Sequence, residues 1–306
     1  MKPRYAADYR TLLWLALAMV TVLVMWFAPA LRWKLLPLQC YFALAAGVIA
    51  HNHNHSPTFK NRTANDALNY AATLFYGFAA FNWIPTHNLN HHKFQNAPGD
   101  ATITWRHSKK HNLLTAAVYP FISAAYQAPL VDAYIKDAKA KRPQQYRSIM
   151  IQLFICWGLP IVLTLVDWRA TLATLWIPRF FSLYTIIYFN WEQHVHCDPW
   201  SKWNHSRTFK GKFVNFFLFN NGLHTAHHIK AGAHWSTLPK LHAEIEHNIH
   251  PDLNVDNLAT FIFKTYFLAL ILPQYGTREI GRPAYDRPGA GEDSFLPSDE
   301  PEPEAA

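Results

Sequence analysis

Four short stretches of the chain are crowded with imidazoles: HNHNH at 51–55, HNLNHH at 87–92, NWEQHVH at 190–196 and NNGLHTAHH at 220–228. On a helix, residues three or four apart share a face, so His51 with His55, His87 with His91, and His224 with His227 and His228 can converge. Neutral imidazole suits zinc, copper, iron or nickel, and about four such ligands satisfy one ion. Nine or ten converging imidazoles are too many for one ion and suit a pair, whose identity ligand type alone leaves open. Spacing also separates candidates within a stretch. His53 is two positions from both His51 and His55, nearly opposite them on a helix, and reads as a non-ligand. His194 and His196 do not share a helical face, and His194 is preferred. His107, His111, His205, His234, His242, His247 and His250 stand singly and read as interfacial polar residues.

Apolar runs must carry these clusters. Residues 11–31 hold no charge over 21 positions, enough for a helix of about 30 Å to cross a bilayer. The run is longer than a signal-peptide core, and a second run follows at once, so it reads as a retained helix. Residues 35–50 return after the RWK turn and deliver the chain to HNHNH. Residues 147–166 and 170–190 flank a short DWR turn and deliver it to NWEQHVH. The N-terminus and the 51–148 loop are rich in Lys and Arg, which puts both, and every histidine cluster, on the cytoplasmic side. The run 67–84 must begin and end on that side, so a re-entrant or interfacial segment is expected, and 112–131 and 259–273 read as interfacial helices.

Composition agrees. Half the chain is hydrophobic and 16% is charged, below the roughly 25% of a soluble domain. Net charge is +8 although the last fifteen residues carry six acids and no base. Between long apolar runs, that basic excess fits an anionic membrane face and not nucleic acid. The three cysteines, Cys40, Cys156 and Cys197, are widely spaced and imply neither a disulfide framework nor a zinc ribbon. Residues 1–280 are expected to form one domain and 281–306, rich in Pro and acid, a disordered tail.

The pattern resembles the membrane fatty acid desaturase and hydroxylase superfamily, whose three histidine boxes bind a non-haem di-iron centre. His51 and His55 fit the first box as H-x3-H, His87, His91 and His92 the second as H-x3-HH, and His224, His227 and His228 the third as H-x2-HH. NWEQH is similar to an N-x3-H element found before the third box, which implies that His194 is a ligand and that Asn190 binds iron through water. HHKFQNAPGDAT carries an Asn and an Asp often seen after box two. The second box has three intervening residues, as in alkane hydroxylase-like members, where many desaturases have two. The resemblance implies an all-α integral membrane protein with about four transmembrane helices in two hairpins, interfacial or re-entrant helices and a cytoplasmic di-iron cap, in a bacterial inner membrane. It further implies two irons and O2 as cofactors, and a fatty acyl or lipid substrate. With no fused haem-binding domain visible, electrons are expected from a separate ferredoxin, rubredoxin or cytochrome.

The expected chemistry is O2-dependent oxidation of an unactivated alkyl chain, foremost desaturation, with hydroxylation as the alternative. A zinc-dependent membrane hydrolase would leave half the histidines idle. A metal transporter would want ligands inside the spans. Phe75, Tyr76, Phe78, Phe81 and Trp83 are candidates to line an acyl tunnel, ordinary packing being the competing role for each. Arg179, inside an apolar run, is expected near the outer surface beside Asp167, and Glu192 as a surface carboxylate rather than a metal bridge.

Overall fold

The computed structural model describes residues 2–283 and Tyr285 and is mostly helical. The expected tail therefore lies almost wholly outside the described residues. Among those described, three helices are long and apolar enough to cross a membrane: Asp8–Phe27, Pro143–Val166 and Trp168–His194. The run expected as a further span is the Leu36–His55 helix, which ends in the HNHNH cluster, so its apolar part is shorter than the helix itself. Arg32, in the turn before it, donates to the Met25 and Trp26 carbonyls and pairs with Asp167 at 3.3 Å. The RWK and DWR turns thus lie side by side at one end of the bundle, and the chain delivers His55 and His194 to the other.

The Leu36–His55 helix is the hub, packed against Asp8–Phe27, Arg62–Tyr76 and Ile177–His194. Phe42, Val48 and Ile49 on it join Leu15, Leu68, Phe75, Phe219 and Trp235 in the largest core cluster. Neighbours on several sides explain why the helix is apolar nearly all round instead of striped.

The Arg62–Tyr76 helix starts at Asn61, whose side chain accepts the Ala64 N–H at 3.0 Å. It ends within the 67–84 run, at Gly77, whose φ of +92° is left-handed and suits glycine. A Cβ there would also meet Arg179 Cβ at 2.6 Å and its carbonyl oxygen at 2.8 Å. A short 3-10 turn, Ala80–Asn82, then leads into box two.

The structure corrects the expectation for Arg179. It is 3% exposed, and Asp167 belongs to Arg32. Its guanidinium donates to the Leu74 carbonyl at 2.9 and 2.6 Å, to Cys156 O at 2.6 Å and to Ile155 O at 3.2 Å. These are carbonyls at the end of the Arg62–Tyr76 helix and within the π-turn Phe154–Gly158. Such groups need a donor where water is excluded, and the cation supplies it.

The 112–131 run is part of a longer helix, Leu113–Lys141, whose two ends adjoin Lys-rich stretches. The 259–273 run forms Leu258–Tyr266 and a following 3-10 turn. Thr208–Phe209 and Asn254–Val255 pair in parallel and brace the third box. All three cysteines are free thiols.

Candidate metal centre

The second box is where local structure departs from the α-helical reading. Ile84–His91 is a π-helix, entered through Pro85. Its wider turn brings residues five apart onto one face, so His87 Nε2 lies 3.0 Å from His92 Nε2, while His91 turns elsewhere. In the third box the His224–Ile229 helix follows a tight reversal at Phe219 and Asn220, both with positive φ. Gly222 lets that reversal press on the strand, since a Cβ there would meet the Phe209 carbonyl oxygen at 2.4 Å.

Together these elements gather nine histidines into two groups. Site A holds His51, His55, His87, His92 and His227; site B holds His91, His194, His224 and His228. Within each group the candidate donor nitrogens lie within 4.8 Å of one another. In site A, His51 Nε2 is 2.8 Å from His87 Nε2, and His92 Nε2 is 3.1 Å from His227 Nε2. In site B, His194 Nε2 is 3.1 Å from His91 Nε2 and 2.9 Å from His224 Nε2, which is 3.1 Å from His228 Nε2. Chords of that length subtend roughly right angles at an ion about 2.0–2.1 Å from each nitrogen. The donor sets fit metal ions in a second respect: His55 Nε2 is buried with no hydrogen-bond partner in the protein. The second and third boxes each contribute to both sites, and the His92 and His228 rings stack across the boundary at 4.3 Å.

Protonation favours ligation. Burial, reinforced by repulsion from neighbouring imidazolium charge, holds His87, His224, His227 and His228 well below the ordinary histidine range. The same causes push His92 down to about 2. Neutral rings are the form that gives a lone pair to a metal.

A surrounding layer of groups orients these rings. His91 Nδ1 faces Asp100 Oδ2 at 2.8 Å and Thr102 Oγ1 at 2.9 Å. Burial alone would raise the Asp100 carboxyl; electrostatic attraction to the His91 ring and hydrogen bonds from His91, Thr102 and Asn96 outweigh it and hold Asp100 below the usual carboxylate range. Asn96 also donates to the His194 carbonyl at 3.1 Å. His194 Nδ1 bonds the His205 carbonyl at 3.1 Å, and the Asn221 amide lies 3.2 Å from His51 Nδ1. Such partners fix ring orientation and tautomer. Sequence reasoning had noted the Asn and Asp after box two but missed Thr102, Asn221 and the carbonyl of His205.

The remaining candidates stand outside the two histidine groups, Asn190 on the wall of the cavity that reaches both. His53 Nδ1 contacts Thr58 Oγ1 at 3.0 Å, away from both sites. Asn190 donates to Tyr119 Oη at 3.1 Å. His196 bonds Thr277. Glu192 is fully buried, which corrects its reading as a surface carboxylate; it receives the Tyr188 and Tyr266 hydroxyls and lies 3.1 Å from His111 Nε2. His205, His234 and His242 are buried, not interfacial, as is the side chain of His111, and His234 pairs with Asp8 at 3.1 Å.

A cavity of about 230 Å³ touches both sites, with His51 and His87 of site A and His224 of site B on its wall. Leu44, Val48, Leu183 and Ile186 supply apolar lining. Of the five aromatics proposed for a tunnel, Tyr76, Phe78 and Trp83 line it. Phe75 and Phe81 are instead buried in separate core clusters, because each side chain faces a neighbouring helix.

Compared with known proteins, residues 26–255 match a family model described as fatty acid desaturase, a range that includes all nine gathered histidines. No curated protein and no solved structure matches the chain.

Proposed function

The chain belongs to the fatty acid desaturase family, and from that premise we propose that it is a membrane-bound di-iron enzyme that uses O2 to desaturate the alkyl chain of a fatty acid or lipid. Four helices would cross the membrane: the three long apolar ones and Leu36–His55. The N-terminus and the histidine cap would be cytoplasmic, in a bacterial inner membrane, with a separate ferredoxin, rubredoxin or cytochrome as electron donor.

His51, His55, His87, His92 and His227 would hold one iron and His91, His194, His224 and His228 the other, with Asn190 reaching a metal through water. When bound, the iron pair supplies the reduction of O2 and the removal of hydrogen from an unactivated C–H bond. The protein holds, shields and aligns. Asp100, Thr102 and the His205 carbonyl fix the rings of His91 and His194. Trp83 packs on both His51 and His87, with centroids at 4.7 and 5.1 Å, and screens them from water. Tyr76, Leu183 and Ile186 confine an apolar chain beside the metals, and that confinement decides which carbon is presented.

The observation that carries this reading is that one largely apolar cavity reaches histidines of both sites. The test is mass spectrometry of lipids from cells expressing the wild type beside His91→Ala, with the donor reconstituted. A new double bond in the wild type only is expected, and hydroxylated product would move the assignment to the sister reaction. Identical lipids in both strains would overturn the proposal.

A further inference from the structure

The outer end of the cavity says what kind of polar group the alkyl chain carries, an inference that rests on the function proposed above. Ala124, Gln127, Ala128, Val131 and Asp132 line the cavity from one face of the Leu113–Lys141 helix. Ala124, Ala128 and Asp132 are exposed, so this face is the mouth. The polar groups here both offer acceptors. Gln127 Nε2 is committed to Ser123, at 3.3 Å to its carbonyl and 3.1 Å to its hydroxyl, leaving Oε1 to accept. An ionised aspartate has only acceptors.

No lysine or arginine lines the cavity among the described residues. Lys136, one turn beyond Asp132, is exposed and is not a wall residue. Arg106 reaches the same helix at Tyr126, with its guanidinium 3.7 Å from the ring centroid, and donates to the Asp100 carbonyl.

We propose that Asp132 and Gln127 select a substrate whose polar end donates hydrogen bonds and is not anionic: a hydroxyl, an amide N–H or an ammonium. A carboxylate, or the phosphates of a nucleotide thioester, would bring more acceptors and a like charge to a mouth that already holds both. A donating head would satisfy Asp132 and Gln127 together and leave the alkyl chain to run along Val131, Ile187 and Ile186 toward His51 and His224.

The experiment is a binding measurement on protein as purified, in nanodiscs of uncharged lipid and with no electron donor added. Labelled hexadecanol and hexadecanoate are compared at a pH where the acid is fully ionised. The wild type should retain the alcohol at least tenfold better than the acid, Asp132→Asn should narrow the ratio, and Asp132→Lys should reverse it. Equal or better retention of the acid by the wild type would overturn the proposal, as would a ratio unmoved by both substitutions. Asp132 is exposed and belongs to neither histidine group, and the lysine variant is read by a gain in acid binding over the wild type, which loss of the fold does not give. Since no turnover is needed, a selective mouth on a protein that forms no oxidised product would refute the oxidative function alone.

Discussion

Replacing Arg179 with Met should destabilise the protein although no reacting group is touched. The guanidinium is a donor to four carbonyls, those of Thr73, Leu74, Ile155 and Cys156. A buried polar group left without a partner costs about 1–3 kcal/mol, so four would cost roughly 4–12 kcal/mol. Relief of a buried charge, itself costing several kcal/mol, offsets much of that, leaving about 2–4 kcal/mol. In a chain of this size, that lowers the melting temperature by about 4–12 °C. Arg179→Lys keeps the charge and loses the planar fork, and should fall between the two. The assay is thermal unfolding of detergent-purified protein by circular dichroism, with Arg169→Met as the control because Arg169 is exposed. Tyr76, a cavity-wall residue, is the last residue of the helix that Arg179 holds, so the surviving Met variant should also lose chain-length selectivity. An Arg179→Met protein that melts with the wild type, or an Arg169→Met protein that loses as much, would refute the reasoning.

Three further outcomes are expected. Asp100→Asn should weaken metal retention at site B by about 10–100-fold, read as iron lost during dialysis against a chelator, while protein yield is maintained. Gly47→Ala should narrow the cavity, since its Cβ would meet Ile186 Cδ1 at 2.2 Å and the Tyr76 ring at 2.6 Å; product profiles should shift to shorter chains, with a stability loss of about 1–3 kcal/mol. Metal-free protein should lose stability as pH falls below about 6.5, the unfolded histidine value. His87, His224, His227 and His228 are held far below that value when folded, so the unfolded chain takes up protons first. Chemical denaturation at pH 7.5 and 5.5 measures this, and equal stability at both would contradict it.

The nine gathered histidines were legible as candidates in the sequence, eight through box spacing and His194 through the N-x3-H element, because metal sites leave a pattern of residue type and interval. How they divide between two sites was not legible. A helical period assumes 3.6 residues per turn, and the π-helix that separates His87 and His92 from His91 breaks that assumption. The two hairpins could be read from run lengths and short turns, but the pairing of Arg32 with Asp167 joins residues far apart in the chain. Arg179 and Glu192 were misread for one reason: burial of a charge depends on partners brought by other helices. For Arg179 these are backbone carbonyls, and for Glu192 they are Tyr188, Tyr266 and His111. Likewise, a backbone carbonyl such as that of His205, which orients His194, leaves no mark in residue identity.

The most direct test of two adjacent histidine-bound irons is the metal content of purified protein, by inductively coupled plasma mass spectrometry, for the wild type, His87→Ala and His224→Ala. Close to two irons per chain are expected in the wild type, with loss concentrated at site A in the first variant and at site B in the second, so that each retains about one. A wild type holding about one zinc per chain and no iron would contradict it.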